Sequence, residues 1–108
     1  MKYHASPTEA LAQLAEEKNS LFVTMLQHGN MRVEYYAPLN EDLQQPHKQD
    51  ELYIIASGTT DFFRDGETIS CKQGDVLLVP ALMEHRFINF SDDFATWVIF
   101  YGDEIQAK

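Results

Sequence analysis

The chain has 108 residues, 44% hydrophobic and 12% aromatic, which supports one buried core but leaves no material for a second. Seventeen acidic residues against eight basic ones give a net charge of −9, so a phosphate backbone is repelled and nucleic acid is excluded as an expected partner. A lone cysteine, Cys71, excludes an intrachain disulfide, and no run approaches the roughly 20 apolar residues that cross a bilayer, so a cytoplasmic protein with no membrane partner is expected.

The first element in chain order is a short helix, predicted over residues 6–18. Ser6 can cap it, Pro7 suits its first position, and Glu9 stands three residues after Ser6 as in a capping box. Leu11, Leu14 and Ala15 then share a face that would pack as a flank, and Asn19 is the expected stop.

From Ser20 the pattern changes to short apolar runs broken by turn residues, which predicts an antiparallel all-β unit over 20–101 and a single domain over 1–108. The runs are Leu21 to Leu26, Met31 to Ala37, Glu51 to Ser57, Thr60 to Arg64, Thr68 to Lys72, Val76 to Pro80, His85 to Phe90 and Phe94 to Tyr101. His28-Gly29-Asn30 and Asp65-Gly66 are hairpin signals, and Gln73-Gly74-Asp75 and Ser91-Asp92-Asp93 supply further turns. The long connection runs from Pro38 to Pro46. In Leu52 to Ile55 and in Trp97 to Tyr101 neither parity is polar, so both faces of those strands need cover. The helix covers part of that surface and a second copy of the chain the rest, which makes a homodimer the expected assembly.

Gln45, His47 and Glu51 fall in one short stretch, and His85 opens a later strand with Phe87 as its parity partner. Fully extended, the four steps from His47 to Glu51 would span roughly 13 Å, too far for a shared cation. The chain must therefore bend through Lys48-Gln49-Asp50, which would set His47 and Glu51 on neighbouring strands facing inward. An inward carboxylate costs several kcal/mol unless it is paired or bound to a cation. Two histidines offer two solutions: neutral ligands sharing a divalent metal with Glu51, or one protonated imidazole pairing with it in a metal-free polar core. The residues themselves leave both open.

These residues resemble the two motifs of the cupin family. The first motif, His-x-His, three or four residues, Glu, six residues, Gly, appears as Gln45-x-His47, three residues, Glu51, six residues, Gly58. The second appears as Gly74, five residues, Pro80-x-Leu82, two residues, His85, three residues, Asn89, and the region from Gly74 to Tyr101 resembles small single-domain bacterial cupins of the cupin 2 conserved-barrel type. The resemblance implies an antiparallel double-stranded β-helix, or jelly-roll barrel, with a divalent transition metal, Fe(II), Zn, Mn or Ni, held by His47, Glu51 and His85, and with Gln45 as a fourth and weaker donor. Leu39 replaces a family glycine. Leu82 replaces another, which predicts a turn with no left-handed residue there.

The catalytic residues are left unassigned. Tyr53, Phe62, Phe87 and Trp97 are candidates for the wall of a pocket that takes a small-molecule ligand, although aromatic residues on alternating strands are more often core. Asp50 is a turn residue or an acceptor for a ligand histidine, Cys71 a small apolar residue, and Arg64 and Arg86 are candidates to meet an anion at the mouth, although exposed strand arginines more often pair with neighbouring carboxylates. The family includes oxygenases, isomerases and lyases as well as non-catalytic binding modules, so a metal-dependent enzyme acting on a small organic molecule and a binding or sensing module are both carried forward.

Overall fold

The computed structural model describes residues 1–17 and 20–105. Helix α1 (Pro7–Glu16) is followed by β1 (Phe22–His28), β2 (Met31–Tyr36), β3 (Asp50–Ser57), β4 (Thr59–Arg64), β5 (Glu67–Lys72), β6 (Val76–Val79), β7 (His85–Ile88) and β8 (Ala95–Tyr101). Each predicted strand is present, with ends shifted by one or two residues. All pairs are antiparallel, in a five-stranded sheet of order β1-β2-β8-β3-β6 and a three-stranded sheet of order β5-β4-β7.

Alternation sets which side chains meet between the sheets. On β3 the buried residues are Glu51, Tyr53 and Ile55, and on β8 Val98 and Phe100 fall on the same face because Glu51 pairs with Phe100 and Tyr53 with Val98. Phe62 and Phe87, themselves paired across β4 and β7, close the core from the smaller sheet. Removing each of these large aromatic side chains from water contributes about 2 to 3 kcal/mol. Cys71 belongs to this core; burial, then the charges of Asp75 and Asp61, push its thiol up, in keeping with a small apolar residue.

The turns follow their residues. Asp65 and Gly66 both have positive φ, +47° and +86°, as the two-residue hairpin between β4 and β5 demands. Ser6 accepts a hydrogen bond from the Glu9 amide at 3.2 Å, and Pro7 opens α1. The face that α1 buries differs from the expected one: Ala10 is fully buried with Leu14 beside it, whereas Leu11 and Ala15 are exposed. This face packs on the outward side of β1, over Val23 and Met25. The expected helix end at Lys18 and stop at Asn19 lie outside the described residues.

Trp97 is not a pocket residue. One position out of step with Val98 and Phe100, it projects from the outer face of the larger sheet and packs edge-on against Tyr35, with ring centroids 4.8 Å apart. The turn at residue 82 is also corrected: Leu82 has φ +67°, so the left-handed conformation persists without the glycine that suits it.

Candidate metal and ligand site

Two potential donors, Glu51 and His85, face the space between the sheets, and a third, His47, lies near them. Glu51 is carried by β3 and His85 opens β7; both side chains are 1% exposed, and His85 Nε2 lies 3.1 Å from Glu51 Oε1. The other ring nitrogen of His85, Nδ1, is 2.9 Å from the Met83 carbonyl, which can only accept, so Nδ1 carries a proton. In a neutral imidazole Nε2 is then a bare lone pair facing a carboxylate oxygen. Two acceptors at that separation require a proton or a cation between them.

The directions of the atoms sharpen this point. Although near enough for an ion pair, His85 Nε2 and Glu51 Oε1 do not align as a hydrogen bond, and His85 Nε2, Glu51 Oε2 and His47 Nε2 are all buried without a hydrogen-bond partner. Burial lowers the proton affinity of His85, but the Glu51 carboxylate 3.1 Å away, the Met83 carbonyl and the charge of Asp42 together raise its pKa above the ordinary 6.5.

His47 arrives differently. It lies in the irregular segment before β3, not on a strand as expected, and its ring centroid is 6.3 Å from that of His85 and 4.8 Å from that of Phe100. Its backbone is fixed by the Leu82 amide, which donates to the His47 carbonyl at 2.7 Å. The expected bend at 48–50 is present, and buried Gln49 secures it by donating to the carbonyls of Asn30 and Gly102 at 2.8 and 2.9 Å. Asp50 accepts from the Ala81 amide at 2.8 Å and so ties β3 to the β6–β7 turn instead of orienting a histidine. Among the described residues no three His, Cys, Asp or Glu side chains are gathered closely enough to form a preassembled metal cluster. Glu51 and His85 are in contact, and His47 stands off from them.

Gln45 is exposed, and its neighbour Gln44 turns inward in its place, donating to the Tyr53 hydroxyl at 3.3 Å. Gln44 is offset by an odd number of positions from both His47 and Glu51, so strand parity would not select it in this irregular segment. Tyr53 and Phe62 pack beside the His85 ring, and Phe87 packs on both of them; all three are buried in the main core. Burial, then the charges of Glu51 and Asp42, push the Tyr53 hydroxyl well up, so it stays a protonated donor.

Beyond His47 a cavity of about 450 Å³ opens between the inner faces of β1 and β2 and the 38–46 connection, lined by apolar Leu21, Phe22 and Phe100 and by polar Arg32, Glu34 and Gln44. Such a volume suits a small organic molecule. The arginine here is neither of those expected at the mouth: Arg86 faces solvent on the outside, and Arg64 donates to the Leu78 carbonyl at 3.2 Å. Also unforeseen is Asp42, a buried carboxylate in the long connection, which accepts from the Tyr36 hydroxyl at 2.7 Å, the Gln44 amide at 3.0 Å and the Phe87 amide at 2.9 Å.

The cupin domain family matches residues 32–101, so the segment from β2 to β8 that carries all three donors lies within it, and the chain belongs to that family. An uncharacterised protein of Streptomyces coelicolor is 36% identical over 85 residues, covering 77% of this chain and 81% of its own. Among solved structures, a cupin 2 conserved barrel domain protein of Salinispora arenicola superposes with a TM-score of 0.69 at 16% identity, over 94% of this chain and 89% of that one. A Ralstonia eutropha protein provisionally named a mannose-6-phosphate isomerase superposes with a TM-score of 0.59 at 21% identity, over 78% of this chain and 83% of that one.

Proposed function

We propose that this cupin binds one divalent transition metal, Fe(II), Zn, Mn or Ni, through His47, Glu51 and His85, and that it acts as a metal-dependent enzyme on a small organic molecule seated in the adjoining cavity. The observation that carries the reading is the set of three buried donor atoms without a hydrogen-bond partner, His47 Nε2, Glu51 Oε2 and His85 Nε2, with the two imidazole rings 6.3 Å apart. Buried polar atoms without partners cost about 1 to 3 kcal/mol each, so their retention calls for an occupant. Two imidazoles and a carboxylate are the donor set of a site with open positions. Bound there, the metal would supply Lewis acidity or activate dioxygen, chemistry that spans oxygenase, isomerase and lyase classes. Around it, the Met83 carbonyl fixes the His85 tautomer, Tyr53 and Phe62 exclude water, and Gln44, which donates to the Tyr53 hydroxyl, is a polar residue of the cavity lining.

A second reading rests on the stand-off of His47: a metal-free core in which protonated His85 neutralises Glu51, and the cavity belongs to a non-catalytic binding or sensing module. Metal analysis of protein purified without a nickel column separates the two. Stoichiometric metal in the parent, lost in Glu51→Ala, His85→Ala and His47→Ala but kept in Gln45→Ala, supports the metal centre; folded, metal-free parent protein that takes up none of the four ions supports the ion pair.

The chain is also proposed to pair as a homodimer. On the outer face of the larger sheet α1 covers only the β1 side, leaving Leu52, Ile54 and, half-exposed or more, Val76 and Leu78 in one apolar row. Sedimentation of the parent against Leu78→Glu tests this, with a monomer expected for the variant. No helix among the described residues is long and apolar enough to cross a membrane. A reducing cytoplasm, with neither nucleic acid nor membrane as partner, fits a buried lone thiol and the strongly acidic composition.

A further inference from the structure

Strand β2 turns a charged row toward the core side of its sheet. Arg32 pairs with Phe100 and Glu34 with Val98 in the β2–β8 ladder, and both partners face inward, so Arg32 and Glu34 do too. Both side chains are partly buried, Glu34 the more so, and so carry a desolvation cost that a pair of hydrophobic residues would not. Glu34 accepts from Arg32 Nε at 2.7 Å, and the Arg32 guanidinium carbon lies 4.5 Å from the centre of the Phe100 ring. The guanidinium is thus held flat from one edge and one face. Its two terminal nitrogens, which make no hydrogen bond among the described residues, lie at the cavity. Phe100 carries His47 against the same ring, so whatever the guanidinium grips lies one ring away from the donor cluster.

We propose that Arg32 is the recognition residue of the cavity and that its ligand is a small organic monocarboxylate, held by the Arg32 fork with its hydrocarbon part against Leu21, Phe22 and Phe100. This deepens the small-molecule reading of the cavity and does not require the metal. Planar guanidinium matches planar carboxylate through two parallel hydrogen bonds. Glu34, already seated on Nε, limits the charge of the ligand: the Arg32–Glu34 pair carries no net charge, so a monoanion leaves one uncompensated negative charge at the cluster, whereas a dianion such as a phosphate monoester leaves two, beside a carboxylate and in a strongly acidic protein. The apolar walls select a molecule with a hydrophobic body over a bare anion.

The test titrates benzoate, benzamide and phenyl phosphate into chelator-treated protein and into metal-loaded protein, followed by amide shifts in proton–nitrogen correlation spectra. In chelator-treated parent protein benzoate is expected to bind about 10- to 100-fold more tightly than benzamide, with shifts centred on β2 and Phe100. Arg32→Met, checked by its melting curve, should bring benzoate down to the benzamide level, while Glu34→Gln should tighten benzoate and bring phenyl phosphate up toward it. Equal affinity for benzoate and benzamide, tighter binding of phenyl phosphate in the parent, unchanged benzoate binding in Arg32→Met, or no benzoate binding at tens of millimolar would each overturn the assignment. The two arms keep the readings apart: benzoate binding by protein that takes up none of the four ions sinks only the metal centre, and stoichiometric metal uptake without benzoate binding in either arm sinks only the carboxylate site.

Discussion

Replacing Asp42 with alanine removes one acceptor from three donors at once: the Tyr36 hydroxyl, the Gln44 amide and the Phe87 amide. A hydrogen bond to an ionised acceptor contributes about 1.5 to 3 kcal/mol, and a buried donor left without a partner keeps its desolvation cost. Three such losses are partly offset because the variant no longer buries a charge and admits water at the exposed Leu43 side of the connection. The net effect is about 3 kcal/mol. For a domain of this size that lowers the melting temperature by on the order of 15 °C. Asp42→Asn should lie between the two, losing about 2 kcal/mol. Its amide oxygen can still serve Tyr36 and Gln44, while its NH₂ group then meets the Phe87 N–H, donor against donor. Differential scanning calorimetry of parent, Asn and Ala proteins at pH 7 reads the series. An alanine variant melting within about 4 °C of the parent, or an asparagine variant less stable than alanine, would refute the view that this carboxylate fastens the long connection to both sheets.

Leu82 holds φ +67° with about half its side chain exposed, so Leu82→Gly is expected to gain about 0.5 to 1 kcal/mol in urea unfolding, and Leu82→Val to lose more than 1 kcal/mol, its β-branch being still less suited to that conformation. Gly58 has φ +76°, and a Cβ there would fall on Ser91 Oγ and 2.8 Å from the Phe94 backbone, so Gly58→Ala should cost about 2 to 4 kcal/mol, measured the same way. In chelator-treated protein the raised pKa of His85 means that the folded state holds its proton more tightly than the unfolded one. The His85 contribution is therefore complete below pH of about 6.5 and is lost as pH rises through the folded value. Urea midpoints between pH 6 and 9 should show this loss in the parent and not in His85→Gln. A parent contribution that grows with pH would contradict the Glu51–His85 pairing.

The eight strands were legible because each is a short apolar run closed by turn residues whose φ requirements are local, as Asp65-Gly66 illustrates. Glu51 and His85 were legible for the same reason: they sit in register on strands, where parity with Tyr53 and Phe87 decides their direction. The resemblance to cupin motifs supplied what periodicity could not, the pairing of two distant segments. Outside the ladders that logic fails. In the 38–46 connection no period tells Gln44 from Gln45 or marks Asp42 as buried, because their directions are set by hydrogen bonds to residues far along the chain. Trp97 was misplaced where parity was available, since an apolar row on each face of β8 gave no contrast from which to choose the inner one. Arg32 and Glu34 alternate with Val33 and Tyr35, a signal that was present, but charge in a strand reads by default as the solvent side.

Glu51 and His85 stand on paired strands, whereas His47 rides on a segment fastened by main-chain and amide contacts to the β6–β7 turn, Asn30 and Gly102. The scaffold and the adjustable part of the pocket are thus separate pieces of chain. Lengthening or shortening the connection ahead of His47, with Asp42 kept in place, would reshape the chamber floor and the reach of the third imidazole while leaving the sheet ladders untouched.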